Sequence, residues 1–243
     1  MKKNISAIVF AIAIVVASLI LGNAVINRNK KTGTISVTGL GQTNFTSDLI
    51  VWEARFSQVN SDLKQAYSDL KKDKETILEY FKSKGLNENV IVFNAVETNK
   101  NFMQNYSPDG KYIGQQFTGY TLSQTVQIKS NDVEKVEKIS REVTELLNKG
   151  IQLYSIPPRY YYTKLEDLKI EMIARATDNA HLRAKSIAEN SGTKLGELLV
   201  GQMGIFQITG QNSNEDYSWG GAYNTSSKDK TASITMKLTY LVK

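Results

Sequence analysis

One histidine, His181, no cysteine, and many serines, lysines and carboxylates set the limits of the chemistry open to this 243-residue chain. A serine hydrolase of the Ser-His-Asp type would have to recruit His181. A Ser-Lys pair is allowed by composition, although no local spacing singles one out. Metal binding needs clustered histidine, cysteine or carboxylate ligands. The stretch NSNED around Glu215 has oxygen ligands but not the twelve-residue calcium loop. Gly39-Leu40-Gly41-Gln42-Thr43-Asn44 falls one residue short of a dinucleotide fingerprint and precedes a strand, where phosphate cradling requires a helix. No catalytic, metal-binding or cofactor-binding residue is therefore assigned, and no cofactor is expected.

His181 lies in ARATDNAHLRAKSIAENSGTKLGELL, residues 174 to 199. At 100° per residue, Met172, Ile173, Ala176, Ala180, Ala184 and Ile187 form one stripe, and the alanines suit close packing on a sheet. Glu171, Arg175, Asp178, Lys185 and Glu189 cluster opposite. His181 falls on the border, where Asp178 and Lys185 would hold it at the solvent edge. Glu166 and Asp167 open this helix, where negative charge favours the N-terminal dipole. Leu182 sits among the charges, which implies that another surface covers it. The polar, glycine-rich segment 209 to 230 carries Tyr217, Trp219 and Tyr223. Aromatic side chains on a hydrophilic loop can anchor a partner, or they can lie down on the domain as a mobile hairpin tip. Leu182, Tyr217, Trp219 and Tyr223 form the candidate interaction surface.

The elements that position these residues follow from charge and periodicity. The net charge is +6, but Lys2, Lys3, Arg28, Lys30 and Lys31 supply five of those positives, and no acid precedes Asp48. The remainder is close to neutral, which argues against a nucleic-acid partner. Between the basic flanks, Asn4 to Asn27 is uncharged, and as a helix it would span about 36 Å, enough for a bilayer core of about 30 Å. Residues 1–31 are read as a membrane anchor or signal segment. The retained-anchor reading places the N-terminus inside and the bulk exported; the alternative is cleavage near Ala24, after Gly22-Asn23-Ala24.

Residues 32–243 follow as one exported domain, with 32–130 and 131–243 as possible halves. TISVTG at 34 to 39 and LIVWEARFSQV at 49 to 59 read as strands, the second with Ile50, Trp52, Ala54 and Phe56 inward. A helix starts at Ser61 with Leu63, Tyr67, Leu70, Ile77 and Phe81 on one face and closes at Gly85. VIVFNAVET at 90 to 98 and 117 to 129 form a hairpin around a loop with the turn signal Ser107-Pro108-Asp109-Gly110. Asn131 and Glu134 cap a helix bearing Val133, Val136, Ile139, Val143 and Leu146. An extended segment at 151 to 163 carries Pro157 and Pro158. A helix from 165 to 191, strands from 195, and an alternating run from Ile234 to Val242 complete the chain. The expected fold class is α+β, two βαββ-like halves with antiparallel sheets packed against helices, after one N-terminal transmembrane helix.

Three stretches resemble the SIMPL domain family: ISVTGLGQTNFTSDLIVWEARFS, GYTLSQTVQIKSNDVEKVEKI, and the alanine helix through Ala174, Arg175, Ala180, Ala184, Ala188, Gly192, Leu195 and Gly196. Ser47 stands where the family often has proline before the aspartate, here Asp48. The resemblance implies an exported α+β domain that forms higher oligomers and has no established active site. The expectation is thus a non-enzymatic envelope protein at the inner membrane with its domain in the periplasm. It would contact the membrane through residues 4–27 and work by binding an envelope protein or by homo-oligomerisation. The competing expectation is an exported hydrolase with a cryptic Ser-Lys or carboxylate site.

Overall fold

The computed structural model describes residues 2–28 and 33–243, with side chains in the first stretch only for Val9–Val25. The basic flanks at Lys2, Lys3, Arg28, Lys30 and Lys31 lie outside the described side chains. Among the described residues the fold is α+β, with antiparallel sheets and four α-helices. In chain order the elements are α1 (Lys2–Arg28), β1 (Thr34–Thr46), β2 (Leu49–Asn60), α2 (Leu63–Ser83), β3 (Ile91–Phe93), β4 (Glu97–Tyr106), β5 (Tyr112–Ser130), α3 (Val133–Glu142), β6 (Leu153–Ser155), β7 (Arg159–Tyr161), α4 (Leu165–Asn190), β8 (Leu195–Met203), β9 (Gln207–Gly210) and β10 (Asp229–Val242). They form two compact units. One comprises Met1–Gly41, Ile173–Gly204 and Thr235–Lys243, the other Gln42–Met172 and Ile205–Ile234.

The larger unit is built on β2, whose alternation puts Ile50, Trp52, Ala54 and Phe56 fully inside. β5 pairs it antiparallel from Ile50↔Ser130 to Asn60↔Tyr120, and β6 and β7 pair its other edge. α2 and α3 pack on the apolar face, where Phe81 meets Trp52 edge-on at 5.8 Å. The Trp52 indole N–H donates to Ser155 Oγ at 3.0 Å, so the largest core side chain leaves no polar atom unpaired. The opposite face of β2 is polar: Glu53 accepts from Arg159 at 2.9 Å and from Gln127 at 2.7 Å.

Both helix starts lie one residue from their expected caps. Asp62, and not Ser61, caps α2 by accepting from Gln65 N at 2.8 Å, and Asp132, and not Asn131, caps α3 through Lys135 N. The buried face of α2 is Ala66, Leu70, Ile77, Tyr80 and Phe81, while Leu63 and Tyr67 are exposed. In the hairpin, strand pairing runs through the expected loop as far as Tyr106↔Tyr112, and only Ser107 to Lys111 turn.

In the smaller unit, α4 covers β1 and β10. Ala176, Ala180, Ala184 and Ala188 are fully buried at intervals of four, with Val37, Leu238 and Tyr240 among the buried residues of the core they line. Ile187, expected in this stripe, is exposed, and Ala188 takes its place, because a step of four is kept to the helix end. Gly39 is the contact that lets strand and helix approach. A Cβ there would lie 2.1 Å from Ala176 O and 2.4 Å from Ala180 N. Leu40 N donating to Asn179 Oδ1 and Arg183 donating to Thr38 O tie the same strand to the helix.

Among the described residues, no helix is long and apolar enough to cross a membrane. The expected span from Asn4 to Asn27 extends beyond the side chains described for α1, and Gly22-Asn23-Ala24 lies inside that helix.

Candidate functional site

The aromatic loop belongs to the larger unit and is fastened from below. Gln207, buried at the start of β9, accepts from Ala222 N at 2.6 Å and donates to Ser218 O at 2.8 Å. Glu215 accepts from Gly210 N at 2.9 Å and from the Asn224 amide. Asn224 in turn accepts from Ser227 N at 2.8 Å. The loop is therefore a stapled platform. Trp219 stands 93% exposed on it; Tyr217 and Tyr223 are exposed in part, and the Tyr217 hydroxyl lies 3.5 Å from Ser233 Oγ. Both Glu215 oxygens are engaged by the loop, and among the described residues no three metal-ligating side chains converge.

Leu182 lies in the smaller unit, on the outer side of α4, and is 64% exposed. It borders an open groove with Val37, Thr38, Arg183 and Ile187. The structure thus brings Tyr217, Trp219 and Tyr223 together on one loop and places Leu182 on a different unit. His181 is exposed, and its Nδ1 lies 3.2 Å from the hydroxyl of buried Tyr240, with the rings edge-on at 5.6 Å. Burial pushes the Tyr240 phenol up from its ordinary range. Tyr240→Phe is expected to lower stability by about 1 kcal/mol in a denaturant titration, the usual net contribution of one neutral hydrogen bond.

The arrangement with the clearest chemical potential is a pair that sequence reasoning did not single out. Lys230 Nζ lies 2.9 Å from Ser47 Oγ, 3.0 Å from Tyr160 O, and in contact with Ser227 O. Lys230 is 1% exposed and Ser47 4%. Three oxygen acceptors match the three ammonium protons. The pKa of Lys230 is nevertheless pushed down to about 8, because burial disfavours the charge more than the Glu215 and Asp229 carboxylates favour it. Neutral Lys230 could keep both carbonyls as acceptors and accept the Ser47 proton, which is the arrangement a general base needs.

A usable signal for Lys230 was present: the alternation through Ile234, Leu238 and Tyr240, run backwards, puts residue 230 on the inward face. The neighbouring Asp48 carboxylate accepts from Thr163 N at 2.7 Å and Thr163 Oγ1 at 2.6 Å, so the Ser47-Asp48 step pins two distant segments at once.

Compared with known proteins, residues 35–240 match the family model described as SIMPL, protein of unknown function (DUF541). No curated protein matches the sequence.

Proposed function

Because this chain belongs to the SIMPL family, we propose that it is a membrane-anchored cell-envelope protein that works without catalysis, by binding and self-association on the exported side. The observation that carries this reading is α1. From Val9 to Val25 every side chain is exposed, among them Phe10, Leu19, Ile20 and Leu21. A helix apolar all round has no stable place in water, and burying each large side chain is worth about 1.5–3 kcal/mol. Lipid is the surrounding that supplies that burial.

Alkaline carbonate washing of membranes, followed by intact-mass measurement, tests the anchor. The full 27.2 kDa chain is expected in the pellet. Recovery from the soluble fraction, at full length or cut after Ala24, would sink the anchored form. Self-association is read from the native mass of the full chain in detergent, where an oligomer is expected and a monomer contradicts it. Leu182 and the loop carrying Tyr217, Trp219 and Tyr223 are the surfaces available to an envelope partner.

A second reading, an exported hydrolase, is favoured by the Ser47–Lys230 distance alone. A serine-directed phosphonate that labels Ser47 in the parent and not in Lys230→Ala would establish it. The binding reading expects no labelling, because substrate would have to reach a hydroxyl that is nearly closed to solvent.

A further inference from the structure

Between β3 and β4 the chain carries one residue more than its partner strand. Phe93 pairs Val126 and Glu97 pairs Ser123, so Asn94, Ala95 and Val96 stand against only Gln124 and Thr125. The extra residue makes a β-bulge, a feature that re-aims side chains and is common beside functional sites. Its effect shows in the inward positions, which step from Ile91 and Phe93 to Val96 in place of Ala95. Asn94 N donates to Thr125 O at 2.9 Å and Gln124 Nε2 donates to Asn94 O at 2.6 Å, which fixes the bulge.

Gln124 is the anomaly at this bulge. It sits on the inward face of β5, in the row of Leu122, Val126 and Ile128, and is 7% exposed. Burying an amide in an apolar row is costly unless its polar atoms find partners. Nε2 has Asn94 O, whereas Oε1 has no hydrogen-bond partner among the described residues. None of the described side-chain oxygens and nitrogens is both sealed from solvent and unpaired, so Oε1 opens into the adjoining pocket. That pocket holds about 320 Å³, within the range that receives small molecules. Buried Leu70, Val96 and the Tyr67 ring supply its apolar lining, and Lys71, Lys74 and Glu75 of α2 its charges. Lys71 and Glu75 offset each other at 3.9 Å. Lys74, half-buried, has no carboxylate partner among the described residues; its ammonium lies 5.0 Å from the centre of the Phe93 ring.

We propose that this pocket binds a small monocarboxylate with an apolar body and a hydroxyl donor. The carboxylate meets Lys74, the hydroxyl donates to Gln124 Oε1, and the body lies against Leu70, Val96 and Tyr67. With two lysines and one glutamate in the lining, the net charge of +1 attracts an anion and repels a cation. A neutral ligand of the same shape would bury Lys74 further without giving it a counter-charge, at a cost in desolvation. The lining residues all belong to the larger unit, so this ligand site is independent of the membrane anchor and of self-association.

The test uses 2-hydroxy-3-phenylpropanoate, titrated calorimetrically into the full chain in lipid nanodiscs, with the heat of empty nanodiscs subtracted. Saturable binding of one molecule per chain is expected, and the neutral 2-hydroxy-3-phenylpropanamide is expected to bind about tenfold or more weakly. Lys74→Gln is expected to bring the acid down to the affinity of the amide. Lys72→Gln, exposed on the same helix and outside the pocket, is expected to change nothing. The parent is expected to prefer the hydroxy acid several-fold over 3-phenylpropanoate, and Gln124→Met, which keeps the volume and removes Oε1, to erase that preference. Should Gln124→Met fail to fold, Val96→Phe fills the pocket from the strand side and is expected to abolish binding of both acids. No saturation by about 10 mM acid overturns the site. Equal affinity for acid and amide, or full affinity retained in Lys74→Gln, overturns the assignment of an anion held by Lys74.

Discussion

Gly39→Ala is expected to unfold the smaller unit, or to lower its stability by at least about 3 kcal/mol, the upper range for overpacking a filled core. The new methyl would sit 2.1 Å from Ala176 O, 2.4 Å from Ala180 N and 2.7 Å from Ala180 Cβ. Two of these three atoms are helix backbone, so no side-chain rotation relieves the clash, and α4 would have to lift from β1. Lifting it breaks the Asn179 and Arg183 bonds to the strand and opens the alanine stripe to water. Thermal unfolding of the full chain measures the effect, with a midpoint drop of roughly 10 °C expected for a chain of this size. Gly33→Ala is the control: its Cβ would meet the Val242 side chain, Cβ at 3.7 Å and Cγ2 at 4.0 Å, both ordinary contacts, and a shift of a degree or less is expected. Adding Ala180→Gly to Gly39→Ala is expected to rescue little, because the carbonyl of Ala176 remains in the way. A full rescue would show that side-chain crowding, and not backbone approach, is what Gly39 relieves.

Lys230→Ala is expected to cost about 2–4 kcal/mol at pH 7, since it leaves two buried carbonyls without their donor and opens a cavity beside Ser47. Lys230→Met refills the volume without restoring a donor, and a smaller loss of about 1–3 kcal/mol is expected. The pH dependence has a defined sign. The folded pKa is about 8 and the ordinary lysine value 10.5, so between these two the unfolded chain holds a proton that the folded chain has released. Stability then rises with pH across that window, by up to about 3 kcal/mol at 1.36 kcal/mol per pKa unit. The gap between parent and Lys230→Ala in denaturant titrations is therefore expected to widen from pH 8 to above pH 10. A gap that stays flat or narrows would mean that the three oxygen partners hold the ammonium fully charged.

The local pattern of the chain was largely readable. Period two along β2 placed Ile50, Trp52, Ala54 and Phe56 inside, and all four are fully buried. The α3 face was legible through Val133, Val136 and Ile139 for the same reason: each position is set by its neighbours within a turn or two; Val143 and Leu146, expected on the same helix, are buried too but lie just beyond it in a 3-10 helix, Val143–Lys149. The face of α2 was less so. Leu63 and Tyr67 fit a helical stripe as well as Ala66 and Tyr80 do, and hydropathy does not choose between stripes when both contain apolar residues. The partners across the sheets chose. Ile187 failed for a related reason, since three-residue and four-residue steps both look helical and only the contact with the sheet selects one.

The hairpin shows how a turn signal can be right while its surroundings are misread. Ser107-Pro108-Asp109-Gly110 does turn, but Asn99 to Gln116 lacks the apolar alternation of a buried strand, and among the described residues most of its side chains are exposed.

By itself, the order of residues determined the N-terminal apolar helix, the period of each strand and helix, the absence of thiol chemistry and the family to which the chain belongs. Those properties are local, or are sums over the chain, and need no knowledge of what folds against what. Tertiary structure alone decided that Ser47 and Lys230, 183 residues apart, share a buried contact. It also decided that Gly39 meets the backbone of α4, and that Leu182 and Trp219 belong to different units. Long-range contacts are chosen by how whole faces fit together, and nothing in a stretch of ten residues encodes its partner.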